Sequence, residues 1–117
     1  MGYRKQMNIV DYKKTFKIFS PVGDGWQTLI IKLIDDIIAL DPEIEVMQVK
    51  EKWGGLRFYV GYASDEVYKL IDTAEEESFT ICEHCGTKKG VKIRQTGWWV
   101  TTACLKCFRQ LCKGIKK

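Results

Sequence analysis

The chain has 117 residues, 45% of them hydrophobic and 12% aromatic with only two prolines, a composition that fits one folded core and excludes a disordered or repetitive chain. No apolar run approaches the ~20 residues that a membrane-spanning helix needs. The N-terminal run has neither a signal-peptide apolar core nor a Ser or Thr at position 6 for myristoylation, so the expectation is a cytoplasmic protein.

The formal net charge of +4 conceals a segregation. Residues 1–20 balance at +4, residues 21–87 at −9, and residues 88–117 at +9 with no acid at all. A basic block of this kind suits a polyanion such as nucleic acid. It suits equally the acidic middle of the same chain or of a second copy, which leaves a homo-oligomer open.

In residues 1–20 the apolar positions Ile9, Val10, Tyr12, Phe16, Ile18 and Phe19 fit neither a helical nor an alternating period. The expectation is an irregular segment packed across the core and ended by Pro21, with Lys13, Lys14 and Lys17 solvated. From Asp24 to Leu40 the pattern is helical: Trp26, Leu29, Ile30, Leu33, Ile34, Ile37 and Ile38 recur at steps of three and four. Asp24 is placed to cap the first turn, and Asp41-Pro42 ends the helix because the residue before proline avoids the helical region. A membrane-surface helix is excluded, since the polar face carries Asp35 and Asp36 with only Lys32 against them.

Residues 43–62 read as a β-hairpin. Leu56, Phe58, Val60 and Tyr62 alternate with Arg57, Tyr59 and Gly61, and Trp53-Gly54-Gly55 makes the turn, its two glycines free to take positive φ. Trp53 is then exposed, as a lid on the sheet or as a contact residue. A second helix spans 64–79, capped by Ser64, with Val67, Leu70, Ile71 and Ala74 buried. Its run Glu75-Glu76-Glu77 reads as a solvated face, with pairing to the basic block as the second choice. Residues 1–80 thus form a helix, hairpin and helix core of the α+β class.

Residues 81–117 form a second module. Cys82-Glu-His-Cys85 and Cys104-Leu-Lys-Cys107 are two CxxC pairs separated by eighteen residues. Each pair lets two thiolates converge from one tight turn, and together they supply the ligands of a closed tetrahedral zinc site. The alternative is four small buried residues that fall at this spacing by chance. Val91–Arg94 and Trp98–Thr102 read as short strands, and Leu105, Phe108, Leu111, Cys112 and Ile115 have helical spacing. Knuckle, hairpin and helix in that order describe a treble-clef-like module; a zinc ribbon with a second knuckle at Cys104 is the competitor.

Four thiolates leave zinc no open position for water or substrate, so one Zn²⁺ per chain would be structural. His84 is the only histidine, so a Ser/His or Cys/His constellation would have to be built around it alone. Gly54-Gly55 lacks the Lys-Ser/Thr of a phosphate loop. The expectation is therefore a protein that is not an enzyme. Cys112 reads as a packed helical position. Trp98 and Trp99, on opposite faces of a strand, could close the core over the metal with one ring and expose the other. With Lys88, Lys89, Lys92, Arg94, Arg109 and Lys113 around it, the exposed ring is a candidate stacking platform for nucleic acid or an anchor for a protein partner.

The run Gly23-Asp-Gly-Trp26 before an apolar helix, then Gln48-Val-Lys-Glu-Lys-Trp-Gly-Gly-Leu-Arg-Phe-Tyr59, then an acidic helix and a Cys-x-x-Cys-Gly knuckle, resembles a family of small zinc-binding proteins of unknown function encoded by bacteriophages and prophages. The resemblance covers roughly residues 16–107, with Gln48–Tyr59 its most specific part. Relatives often carry Phe where Trp53 stands and end the metal site with His or Cys. It implies a phage origin and supports the metal site, and brings no catalytic residue with it. Small phage proteins often bind and block a host protein, host defence systems included. The function expected is therefore binding of a host protein, with nucleic-acid binding or transcriptional regulation through the basic surface as the alternative.

Overall fold

Leu56, Phe58 and Val60 alternating with Arg57 and Tyr59 set up a sheet with one buried face, and the helical stripes before and after it supply the cover. The computed structural model describes residues 7–16 and 20–115, and its architecture is α+β. In chain order the elements are β1 (Met7–Asn8), α1 (Ile9–Phe16), a 3₁₀ turn (Asp24–Trp26) leading into α2 (Gln27–Leu40), β2 (Glu45–Lys52), β3 (Gly55–Val60), α3 (Asp65–Ser78), β4 (Lys92–Thr96), β5 (Trp99–Ala103) and α4 (Leu105–Ile115). Strands β1, β2 and β3 form one antiparallel sheet in that order, and β4 and β5 form a second.

Val46, Val49, Leu56 and Phe58 are buried on the sheet face that the helices cover. Val46 and Val49 are an odd number of residues apart, so a regular strand would point them to opposite faces. A register irregularity between Val46 and Gln48 resolves this: the extra residue, Met47, is left exposed and both valines face the core. Leu29, Ile30, Leu33, Ile34 and Ile37 of α2, with Val67, Ile71 and Ala74 of α3, complete the core. The helix stops as expected: Asp41 is extended at φ −155°, and its N–H donates to the Ile37 carbonyl at 2.7 Å. Ser64 caps α3, its hydroxyl accepting from the Val67 N–H at 3.3 Å.

Five expectations need correction. Residues 9–16 are a helix rather than an irregular segment: Ile9, Tyr12 and Phe16 lie on one side of it, and the period is obscured because Val10 points outward. Lys13 there is paired, its Nζ 2.6 Å from Asp35 Oδ1; Lys17, Ile18 and Phe19 lie outside the described residues. Asp24 does not cap α2, because the 3₁₀ turn intervenes; its carboxylate instead accepts from the Gln27 side chain at 3.2 Å.

The turn residues with positive φ are Trp53 (54°) and Gly54 (84°), a two-residue turn that matches the twist of the strands. Gly55 is needed for another reason: a Cβ there would lie 2.3 Å from the Phe79 ring. Finally, Glu75 is not simply solvated. Its carboxylate accepts from the Phe58 N–H at 2.9 Å, and the Ser78 hydroxyl accepts from the Leu56 N–H at 3.0 Å. Helix α3 thereby satisfies the outer edge of β3 with side chains, a protection that open sheet edges require.

Candidate metal centre

The knuckle forms where the chain leaves α3. Gly86 takes φ 83°, which lets its N–H reach the Cys82 carbonyl at 2.9 Å, while the Cys82 N–H donates to the Thr87 carbonyl at 2.9 Å. The β4–β5 hairpin then returns the chain so that Cys104 arrives at the start of α4 and Cys107 lies in its first turn. The Phe108 N–H donates to the Cys104 carbonyl at 3.0 Å, and the Cys107 N–H points at the Cys104 sulfur at 3.5 Å. Knuckle, hairpin and ligand-bearing helix are the treble-clef-like order.

The four expected sulfurs, of Cys82, Cys85, Cys104 and Cys107, come together within 4.8 Å of one another. Cys85 and Cys104 are 3.8 Å apart, sulfur to sulfur. That is the edge of a tetrahedron with metal–sulfur bonds of about 2.3 Å, and far beyond the ~2.05 Å of a disulfide. The cluster is compatible with a zinc ion. Burial alone would raise the Cys82 thiol, but the backbone N–H groups of Cys104, Cys85 and His84 converge on it and bring it down to about 7. Burial and the neighbouring sulfurs push Cys107 up. A dication would relieve that crowding by favouring thiolate at every position. Cys112 lies on α4, half-buried, and is not one of the converging sulfurs.

The knuckle is joined to the core through its backbone. The Trp26 indole N–H donates to the Ile81 carbonyl at 2.9 Å, and the Gly25 N–H donates to the Glu83 carbonyl at 2.9 Å. A Cβ on Gly25 would lie 2.0 Å from the Cys82 carbonyl oxygen, so only glycine admits this approach. On the other side, the Thr102 hydroxyl donates to the Gly54 carbonyl at the hairpin tip, and the Glu83 N–H donates to the Thr102 carbonyl at 3.0 Å. The two most distinctive motifs of the sequence, Gly23–Trp26 and Trp53–Gly55, are thus the two ends of one seam against the cysteine module. Sequence reasoning missed this seam, although Gly23 and Gly25 stood in the sequence without a turn to explain them.

A buried polar chain fills the seam. Thr101 donates to Glu83 Oε1 at 2.9 Å, and its Oγ1 is 2.9 Å from His84 Nε2. A hydroxyl has one proton, and Glu83 receives it, so His84 must be the donor to Thr101. Burial lowers the His84 pKa and raises that of Glu83, with Glu51 nearby opposing the first and reinforcing the second. His84 is engaged in this chain and is not one of the converging ligands.

Of the residues expected to meet a partner, Lys88, Lys89, Lys92, Arg109 and Lys113 are exposed. Arg94 serves the module's interior: its Nε donates to the Ala103 carbonyl at 2.9 Å, its Nη2 to the Gly90 carbonyl at 3.0 Å, and its guanidinium lies 5.8 Å from the centre of the Phe108 ring. Trp98 and Trp99 do not alternate along a strand. Trp98 sits in the turn after Gly97 (φ 58°) and is 88% exposed, whereas Trp99 begins β5 opposite Thr96 and is half-buried. Neither ring belongs to the buried cluster of Cys82, Ala103 and Cys104, so the expected closure over the metal by a tryptophan is not found. No helix among the described residues is long and apolar enough to cross a membrane. No family model, no curated protein and no solved structure matches the chain.

Proposed function

We propose that the chain is a zinc-stapled binding protein, not an enzyme, whose C-terminal module offers a basic surface with apolar anchors to a protein partner. The phage resemblance makes that partner a host protein, and inhibition of a host system, such as a defence system, the consequence. One structural zinc per chain would hold the knuckle and α4 together through Cys82, Cys85, Cys104 and Cys107, contributing an apparent 10–16 kcal/mol, roughly, to the folding of a segment with little core of its own. The carrying observation is the turn position of Trp98, which leaves the ring almost wholly exposed at the tip of the β4–β5 hairpin. An exposed tryptophan is the kind of side chain that partner interfaces use as an anchor.

Nucleic acid on this same module is the weaker reading. Stacking on single strands needs a succession of free rings, and on the module Trp98 is the one fully exposed ring among the described residues. Metal analysis of the purified protein should give about one zinc per chain. Affinity capture from infected cells should retain a partner with the native chain and lose it with Trp98→Ala. Salt-sensitive nucleic-acid binding abolished by Lys92→Ala/Arg109→Ala would overturn the protein reading; so would capture indifferent to Trp98.

A further inference from the structure

The sheet has a second face, and the proposed interface makes no use of it. The core face of β1–β3 is covered by α1, α2 and α3, and the register places Gln48 opposite Tyr59, Lys50 opposite Arg57 and Lys52 opposite Gly55 on the other. These outward positions form a cross-strand row of three cations. A ring stands at each end: Tyr59 is 42% exposed and Trp53, in the turn, 66%. About 13 Å of strand separates Gly55 from Tyr59, at about 3.3 Å per residue. The row is unexpected, because residues 21–87 carry a balance of −9. The fold resolves the contradiction by sending the acids elsewhere. Asp35 and Asp36 lie on α2, Asp72, Glu76 and Glu77 on α3.

Three acids belong to the sheet or reach one of its cations. Glu45 is at the far start of β2, Glu51 is held to its own turn by the Gly54 N–H at 2.6 Å, and Glu75 reaches Arg57 Nη1 at 4.0 Å from the sheet edge while already accepting from Phe58. Arg57 is not used up by that contact: its Nε is buried without a hydrogen-bond partner among the described residues.

We propose that this open face binds single-stranded nucleic acid, with Tyr59 and Trp53 stacking on bases and Lys50, Lys52 and Arg57 holding the phosphates between them. A positive row with rings at its ends complements an anionic backbone with splayed bases. A protein partner would have to desolvate three charges at the centre of its contact, where interfaces are depleted of charge. A duplex keeps its bases stacked inside and offers none to the rings.

The test uses the full zinc-loaded chain with fluorescein-labelled 12-nucleotide oligo-dT, oligo-U and a duplex of the same length, read by anisotropy across a salt series. The single strands should bind and the duplex should not, with DNA and RNA arms separating the two sources of the same chemistry. Tyr59→Ala should weaken binding by about 5- to 150-fold. Lys50→Ala/Lys52→Ala should flatten the log–log salt slope by about 1.4, at roughly 0.7 per phosphate contact. Amide shifts on adding oligo-dT to the native chain should fall on β2 and β3, a readout that does not depend on any variant folding. No binding at 50 mM salt, equal binding of duplex, or shifts confined to residues 88–113 would each overturn the proposal.

Discussion

Among the described residues, seventeen apolar side chains are buried together in the helix-on-sheet core, whereas the buried cluster of the C-terminal module consists of Cys82, Ala103 and Cys104, two of which bear converging sulfurs. The core therefore folds on apolar burial, which is non-directional and tolerates some repacking. The module has almost nothing to bury, and its sulfurs crowd one another unless a cation lies between them. The difference teaches that the two regions should fail separately, and that their seam, made of backbone carbonyls and glycines, is where one would feel the failure of the other.

The largest effect should come from removing a ligand. Cys82→Ser should abolish metal binding, with the roughly 10–16 kcal/mol of apparent binding energy lost. Amide exchange should then show β4, β5 and α4 unprotected while β2, β3 and α2 stay protected. Loss of protection throughout would show that the core is not independent. The mirror-image experiment is Ile34→Ala, which empties part of the core at a fully buried position. Urea unfolding should show a loss of about 2–5 kcal/mol, with the metal content of the folded protein unchanged; metal loss in step with stability would break the comparison from the other side.

At the seam itself, Gly25→Ala drives a Cβ against the Cys82 carbonyl. Overpacking of this kind costs about 1–3 kcal/mol, and because the clash falls on a ligand's backbone, it should also speed metal release to a chromogenic chelator. Unchanged release would mean that the knuckle is insulated from the core. The smallest effect belongs to Tyr12, whose ring packs edge-on against Phe58 while its hydroxyl is buried without a partner among the described residues. Burial raises its pKa from 10.0 to about 12. Tyr12→Phe should leave stability within about 0.5 kcal/mol of the native chain or raise it, since no hydrogen bond is lost. The phenol should ionise near pH 12 by ultraviolet absorbance. Because the folded value lies above the unfolded one, its stabilising share is complete below pH 10 and lost as the pH rises through 12. A midpoint at the ordinary tyrosine value would show the site to be wet.

The sequence by itself determined helices α2 and α3, the β2–β3 hairpin, the Ser64 cap and the four cysteines, because each signal is local: a period of 3.6 or 2, a hydroxyl before a helix, two thiols three residues apart. Even so, α1 escaped it, since an eight-residue helix offers three inward positions and Val10 spoils the stripe. What only the tertiary structure decided are pairings between distant residues. Trp26 meets Ile81 across 55 positions and Thr102 meets Gly54 across 48, which makes the Gly23–Trp26 run and the hairpin turn the two ends of a seam. Arg94 became a strut because the Ala103 and Gly90 carbonyls face it. Glu75 and Ser78, which read as the end of a solvated helix, close the edge of β3. Charge shows the same limit most clearly: a count along the chain gave residues 21–87 a balance of −9, yet eight of their fourteen acids lie on α2 and α3 while Lys50, Lys52 and Arg57 share the open sheet face. Net charge is a sum over sequence, whereas a partner feels only what lies within a Debye length of one surface.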